Sequence, residues 1–216
     1  MQKARVEAFS DGVIAIAITL LVLEIRIPRK AELAVEKQSL LHALGDQWPS
    51  FAAYAVSFVA IGVMWVNHHH LLEDVRIVDR AMLYFNLFLL MGIAFLPFPT
   101  ALFAEHLRWG GQNSHVAAAI YSLNMVVISV AFGLMRWWMV RDDRLLQPTV
   151  DQRLARAGLA RFTIGLWVYI GTVGLAFVDA VACLVVHFLL VGYYALDQLR
   201  TRDADEASLE GTETAR

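Results

Sequence analysis

The chain has 216 residues, of which 58% are hydrophobic, and its mean hydropathy is +0.54. This apolar share exceeds the ~45–50% of soluble domains, so the chain is predicted to be an integral membrane protein. A formal net charge of -2 without a basic stripe excludes a nucleic-acid-binding protein, and a single cysteine, Cys183, excludes an internal disulfide.

The stretch 5–25 is predicted to contain the first membrane-spanning helix. Within 13–23 only Thr19 carries a hydrogen-bonding side chain. At ~1.5 Å per residue the apolar run approaches the ~30 Å of a bilayer core. Lys3 and Arg5 before an apolar run imitate a signal peptide, but no small-x-small cleavage site follows. We therefore expect this segment to be retained.

Five further apolar segments are predicted to span the membrane. They cover about residues 49–66, 81–103, 115–138 and two segments on either side of Asp179 within 162–196. A single ~35-residue helix over 162–196 would overshoot the membrane, and Asp179 is a suitable N-cap between two spans. Pro97 and Pro99 lack amide donors, so they are expected to break or kink the third span near its end.

The segments between the spans are predicted to be short and polar. We expect one amphipathic turn near 31–41, an end to the second span at 67–70, a charged connector over 71–80 and a charged loop over 139–160. The six-span domain is predicted over 1–199. The acidic tail at 200–216 is low in aromatics, so it is expected to be disordered.

The distribution of basic residues predicts the orientation. Thirteen of the 18 Lys and Arg residues lie at the termini and in or beside the 67–80 and 139–161 loops, and five lie on the opposite side. The positive-inside rule therefore places both termini in the cytoplasm, for a multi-pass protein of the plasma (inner) membrane.

A polar motif stands before the first span. Residues 5–11, RVEAFSD, have the form Arg-x-x-x-Phe-Ser-Asp, and Trp65-x-x-His68-His69 ends the second span. Together with the six-span layout, these motifs resemble the signature of the transmembrane protein 175 family of potassium channels. The resemblance covers most of the chain. It implies an all-α, polytopic membrane protein with six transmembrane helices per protomer, whose first helix lines a central pore in a homotetramer.

The resemblance also implies which residues form the pore. The narrowest part in the family is apolar and begins five residues after the motif aspartate, which corresponds to Ile16, with Leu20 and Leu23 one and two turns later. A threonine associated with cation preference corresponds to Thr19. The chain has Asp179 where a proline is expected, a departure that touches no pore residue. The implied permeant ions are K⁺, with limited preference over Na⁺, and other monovalent cations, and no cofactor is implied.

Helical spacing by itself places one stripe of residues on a single face of the first helix. The stripe consists of Phe9, Gly12, Ile16, Thr19, Leu20 and Leu23. In an arbitrary membrane protein such a stripe more often packs on a neighbouring helix. To line a pore it needs several copies around one axis. A ring of aliphatic side chains would then act as a dewetting gate or as a constriction of modest selectivity.

The polar motif is expected to form a structural network that holds the first helix, because ionisable groups near membrane depth are costly unless paired. The candidate members are Arg5, Phe9, Ser10, Asp11, Trp65, His68, His69 and Asn86. The alternative is that Ser10 and Asp11 complement the helix N-terminus and that Arg5 is a topology charge.

Four other hypotheses concern the histidines and the class of protein. Consecutive histidines on a helix fan outward by ~100° each, and only His69 and Glu73 are well spaced as ligands, so no metal site is predicted. Protonation of the histidines near pH 6 could bias gating. No phosphate loop or nucleophile elbow indicates an enzyme. A small proton-coupled secondary transporter is the alternative function, although inverted repeats and broken mid-membrane helices are not visible.

Overall fold

The residues that the structure describes fold almost entirely into helices. The computed structural model describes residues 2–29, 37, 39–107, 111–142, 144–148, 150 and 152–195, with side chains from 163 onward in the last range. The helices are α1 (Lys3–Leu20), followed by a 3₁₀ turn (Leu21–Glu24), α2 (Leu40–Asp46), α3 (Trp48–Glu73), α4 (Arg80–Phe95), α5 (Pro97–Leu107), α6 (Gly111–Arg141), α7 (Gln152–Ala176) and α8 (Ala180–Ala195).

Six apolar helical segments account for the predicted spans. Four are long and apolar enough to cross a membrane, namely Lys3–Glu24, Trp48–Glu73, Arg80–Leu107 and Gly111–Arg141. Thr163–Ala176 and Ala180–Ala195 are shorter apolar helices. The prediction of an all-α, polytopic protein is therefore confirmed.

The division of the last apolar stretch at Asp179 is confirmed. Asp179 Oδ1 accepts hydrogen bonds from the backbone amides of Val181 at 2.8 Å and Ala182 at 3.0 Å. These amides begin α8 and have no partner within the helix, so the carboxylate satisfies donors that would otherwise be unpaired.

The predicted break in the third span is also confirmed, and buried hydroxyls fill it. The helix is interrupted at Leu96, directly before Pro97, whose missing amide cannot continue the hydrogen-bond ladder. Thr100 Oγ1 donates to the Leu96 carbonyl at 2.8 Å and lies 2.8 Å from Ser57 Oγ. The Tyr121 hydroxyl lies 3.1 Å from the same Ser57 oxygen. This chain of hydroxyls ties α3, α5 and α6 together at the break.

Several predicted boundaries are wrong. The first span ends at Glu24, close to the predicted residue 25, with its last turn as a 3₁₀ helix, but the second does not close at 67–70 and continues to Glu73. The predicted fourth span, 115–138, is part of the longer helix α6, which runs to Arg141, and α7 begins at Gln152, inside the predicted loop 139–160. Polar residues mark where a helix leaves hydrocarbon, whereas its hydrogen bonds continue into water, so hydropathy alone misplaces the ends.

Two predictions on connecting segments fall largely on residues that the structure does not describe. Most of the amphipathic turn near 31–41 lies outside the described residues, and α2 begins within its final residues. The acidic tail at 200–216 lies outside them entirely.

The end of the bundle at which α1 begins and α3 ends, here called the basal end, is closed by backbone pairing between two connections. The amide of Arg76 donates to the Leu145 carbonyl at 2.7 Å, and the amide of Gln147 donates to the Asp74 carbonyl at 2.9 Å. The α3–α4 and α6–α7 connections are therefore joined as a short β-bridge.

Candidate functional site: the first helix and its anchor

One face of α1 is exposed in the protomer. The exposed fraction is 61% for Ile16, 41% for Leu20 and 73% for Leu23. The opposite face packs against the bundle through Val6, Ser10, Ile14 and Ala17. None of the predicted constriction side chains is therefore buried inside the protomer, although each is apolar.

Thr19 lies on the same exposed face with its hydroxyl turned to the backbone. Its Oγ1 is 3.0 Å from the Ala15 carbonyl oxygen and 2.9 Å from that of Ile16. A hydroxyl has one hydrogen to donate and two lone pairs that accept. The donated hydrogen leaves the oxygen lone pairs of Thr19 available at the surface of the helix.

A buried polar chain connects α1 to α3 and α4. His68 Nε2 lies 2.8 Å from Asn86 Oδ1, and Asn86 Nδ2 donates to Ser10 Oγ at 3.0 Å. Because an amide oxygen only accepts, His68 must carry its proton on Nε2. Ser10 is fully buried, and His68 and Asn86 are almost fully buried. This group, the Ser10–Asn86–His68 chain, pairs polar groups that would be costly in a membrane without partners.

A second contact lies next to this chain, at the surface. Trp65 Nε1 donates to Asp11 Oδ1 at 2.9 Å, which links α3 to α1 one residue after Ser10. The ring of His69 stacks on that of Trp65 with centroids 6.1 Å apart. His69 Nε2 also lies 3.3 Å from Glu73 Oε1. His69 therefore supports Trp65 and does not join the buried chain.

Arg5 and Phe9 belong neither to the Ser10–Asn86–His68 chain nor to the contact between Trp65 and Asp11. Both are exposed on α1, and the Arg5 guanidinium has no hydrogen bond or ion pair with any residue that the structure describes. Both lie on the face that carries Ile16 and Leu23, at its basal end. Within the protomer, the network expected from the sequence is thus divided between a buried chain and a surface contact, and it excludes Arg5.

Charged groups at the basal end fix the start of α1. Lys3 Nζ donates to the Glu73 carbonyl at 3.3 Å and lies 3.7 Å from Glu7 Oε1. Burial raises the pKa of the neighbouring Asp74, and the positive charge of Arg136 opposes that shift. The sequence analysis assigned Lys3 no role, although its spacing of four residues from Glu7 is typical of a helical ion pair.

Two of the three consecutive histidines share one carboxylate. His69 and His70 approach the two oxygens of one carboxylate, Glu73, at 3.3 Å and 3.1 Å. Across the described part of the chain, no group of three or more His, Cys, Asp or Glu side chains is placed to hold a metal ion. His68 points away from both neighbours into the buried chain, as the ~100° fan of a helix requires.

Comparison with known proteins shows one family. Residues 5–97 match the family described as the endosomal/lysosomal potassium channel TMEM175. A potassium channel of Streptomyces collinus is 51% identical over 205 residues, which cover 94% of this chain and 97% of that protein. A potassium channel of Chamaesiphon minutus is 40% identical over 195 residues, which cover 90% and 94%.

A solved structure extends the likeness to three dimensions. The crystal structure of a lysosomal potassium-selective channel TMEM175 homolog from Chamaesiphon minutus superposes with a TM-score of 0.81 and 37% sequence identity. The alignment covers 90% of this chain and 97% of that one.

Proposed function

Since the chain belongs to the TMEM175 family of ion channels, we propose that it forms a potassium-permeable cation channel of modest K⁺ over Na⁺ selectivity. The family consists of multi-pass membrane channels and not of enzymes. K⁺ and other monovalent cations pass without a chemical step and without a bound cofactor.

The pore is lined by α1, and one observation carries this assignment. Its exposed face bears Ile16, Thr19, Leu20 and Leu23, while the Ser10–Asn86–His68 chain holds its opposite face to α3 and α4. A pore helix has to keep its rotation, because a turn of ~100° would replace every lining side chain. Directional hydrogen bonds to two neighbouring helices favour one rotation over the others.

Four copies of the chain enclose the path. One helix cannot surround an ion, and closed cyclic assembly is the usual way in which identical subunits build a central axis. The exposed face of α1 then becomes the surface that the copies share. Arg5 and Phe9 lie on this face, so in the tetramer they meet neighbouring subunits and not lipid.

The constriction consists of three apolar rings and one ring of hydroxyl groups. Rings of Ile16, Leu20 and Leu23 offer no ligand, so an ion passes partly hydrated or the constriction dewets and closes. The Thr19 oxygen, whose hydrogen is donated to the backbone, offers lone pairs between the first two rings. One level of hydroxyls replaces little of the hydration shell, which supports a modest preference for K⁺.

The protein lies in the plasma (inner) membrane with both termini in the cytoplasm. The support is the excess of Lys and Arg near the termini and the two connections of the basal end. In this orientation the basal end and the Arg5–Asp11 motif lie at the cytoplasmic mouth, and Leu23 lies toward the outer mouth.

Planar-bilayer recording under opposed K⁺ and Na⁺ gradients tests the proposal. We expect discrete single-channel steps and a reversal potential displaced toward that of K⁺ by a modest amount. Saturable, proton-coupled flux without single-channel steps would contradict the channel and favour a proton-coupled secondary transporter. Purified protein in liposomes with a protonophore control separates these two outcomes.

A further inference from the structure

Arg141, the last residue of α6, lies over two indole rings. The central carbon of its guanidinium is 5.2 Å from the centroid of the Trp137 ring and 5.8 Å from that of the Trp138 ring. Arg141 is exposed, and its guanidinium forms no ion pair or hydrogen bond with any residue that the structure describes. An arginine over an aromatic face keeps the N–H groups at its edge available for an anion.

The carboxylates beside this cation–π contact already have partners. Asp79 accepts hydrogen bonds from Trp138 Nε1 at 3.0 Å and from a backbone amide of α4 at 2.8 Å. Asp142 directly follows Arg141, but its carboxylate pairs with Arg144 at 2.7 Å. Within the part of the chain that the structure describes, the positive charge of Arg141 is therefore left without an anionic partner.

Exposed side chains recur at helical spacing on α4 and on α6. On α4 they are Arg80, Tyr84, Leu87, Met91 and Phe95. On α6 they are Leu123, Trp137 and Arg141. This spacing places each set on one face of its helix, and the two sets are here called the α4 stripe and the α6 stripe. Each stripe ends in an arginine at the basal end.

The two stripes lie on the same side of this pair of helices. The rings of Phe85 and Trp138 are 5.9 Å apart, and Asn124 Nδ2 donates to the Gly92 carbonyl at 3.1 Å, so α4 and α6 pack together along much of their length. On each helix the stripe is turned by ~100° from these contacts. Because the helices are antiparallel, both turns lead to the same side, and the stripes form one outer surface.

The order of groups along this surface matches the order of groups in a phospholipid. An arginine stands at the basal end, Tyr84 or Trp137 follows one turn further in, and apolar side chains continue from there. Tyr and Trp concentrate at the level of the lipid headgroups. The anion present at that level is the lipid phosphate, whose oxygens a guanidinium binds with two parallel hydrogen bonds.

We propose that the basal ends of α4 and α6 bind the headgroup of an anionic phospholipid with the chemistry of phosphatidylglycerol. Arg141 binds the phosphate, Arg80 adds a second positive charge, and the acyl chains lie along the two stripes. Phosphatidylcholine carries the same phosphate, but its choline brings a further positive charge to a site that already holds two. The surface is on a different face of α4 from Asn86, so the proposal does not depend on the pore assignment.

Native mass spectrometry of the purified full-length protein, titrated with phosphatidylglycerol or with phosphatidylcholine of the same acyl chains, measures the binding. We expect phosphatidylglycerol to bind more tightly. Arg141→Gln should weaken its binding about tenfold, the effect of one hydrogen bond to a charged group, and should leave phosphatidylcholine unchanged. Trp137→Leu keeps the charge and removes one ring, so it should weaken phosphatidylglycerol about threefold.

The matched control is Arg76→Gln, which removes the same charge from an exposed position at the same end of the bundle and should leave both lipids bound as before. Arg141→Lys, which keeps the charge without the planar fork, is the second variant if Arg141→Gln does not elute as folded protein, and it should also weaken phosphatidylglycerol. Equal binding of the two lipids, or equal losses from Arg76→Gln and Arg141→Gln, would overturn the site. Full competition by soluble glycerol 3-phosphate would show a site for free phosphate and would overturn the lipid assignment.

Discussion

The exposed faces of α1 and α8 are both apolar, but the two helices differ in the polar contacts that hold them to the rest of the bundle. On α8, Phe188 and Leu189 are more than half exposed, as Ile16 and Leu23 are on α1. Behind α1 lies the Ser10–Asn86–His68 chain, which crosses to two other helices.

Behind α8, the hydrogen bonds of His187 and Cys183 are local or weak. His187 Nδ1 bonds to the Cys183 carbonyl of the same helix at 2.8 Å, and the contact to α6 joins the Cys183 thiol and Ser122 at 3.3 Å. Thiols are weak hydrogen-bonding groups.

Exposure alone therefore does not distinguish the face of α1 proposed to line the pore from a face against lipid. Aromatic bulk points outward from α8 at Phe188 and Tyr193, whereas the exposed face of α1 has no aromatic side chain between Gly12 and Leu23. A face against lipid tolerates rotation and bulk, because lipid chains adapt to it. A face that bounds a pore requires small, regular side chains and a fixed rotation.

The largest effect is expected from widening the α1 face. Leu23→Ala or Ile16→Ala removes aliphatic bulk from every subunit at one level, so K⁺ current should rise about tenfold, equivalent to a barrier lower by about 1.4 kcal/mol. The preference for K⁺ over Na⁺ should fall at the same time. Planar-bilayer currents measure both effects.

The matched control for this pair is Leu189→Ala, the same change on the exposed face of α8. It should leave conductance and selectivity as they are. Equal effects of Leu189→Ala and Leu23→Ala, or none from Leu23→Ala and Ile16→Ala, would remove the distinction between the two faces.

Breaking the anchor should cost stability. Asn86→Ala leaves both His68 and Ser10 without their partners in a buried site, so the free energy of unfolding should fall by about 1–3 kcal/mol. Ser122→Ala, which removes only the thiol contact behind α8, should cost less. Thermal unfolding in detergent compares them, and a larger loss from Ser122→Ala would reverse our ranking of the two anchors.

A smaller effect is expected from the surface contact between Trp65 and Asp11. Asp11→Ala removes an exposed acceptor and should cost about 0.5–1.5 kcal/mol, with more damage to assembly and expression than to permeation. Trp65→Phe removes the same bond from the other side. Size-exclusion chromatography should show fewer tetramers in both variants. Normal tetramers from well-folded Asp11→Ala protein would argue against a role of this contact in assembly.

The smallest effect is expected at the opposite end of α1. Arg26 Nη2 lies 2.9 Å from Glu105 Oε1, and the side chains are 75% and 46% exposed. An exposed ion pair contributes about 0.2–1 kcal/mol. Arg26→Gln should therefore shift thermal unfolding slightly at low salt and not at all in 1 M salt. A shift as large as that of Asn86→Ala would show that the outer end anchors α1 as strongly as the buried chain does.

Much of the fold was predictable because hydrocarbon imposes length and composition on each span. The N-cap at Asp179 and the helix break before Pro97 were predicted correctly, because a cap and a missing amide act through the local backbone. The continuation of α3 past His70 was not, because a helix does not end where its residues become polar.

The candidate site was predictable only in part. The sequence indicated the stripe on α1, since helical periodicity is local. The division of the polar motif into a buried chain and a surface contact could not be predicted, because it depends on how α3 and α4 cross α1. That crossing brings Asn86 between His68 and Ser10 and leaves Arg5 outside.

Substituted-cysteine block tests whether four copies of the α1 face surround the ion path. The buried Cys183 is first replaced by alanine. Leu23→Cys and, as control, Leu189→Cys are then treated with a cationic methanethiosulfonate reagent in K⁺-loaded liposomes. We predict complete, thiol-reversible loss of K⁺ flux for Leu23→Cys and unchanged flux for equally labelled Leu189→Cys. Full labelling of Leu23→Cys with unchanged flux would contradict the claim.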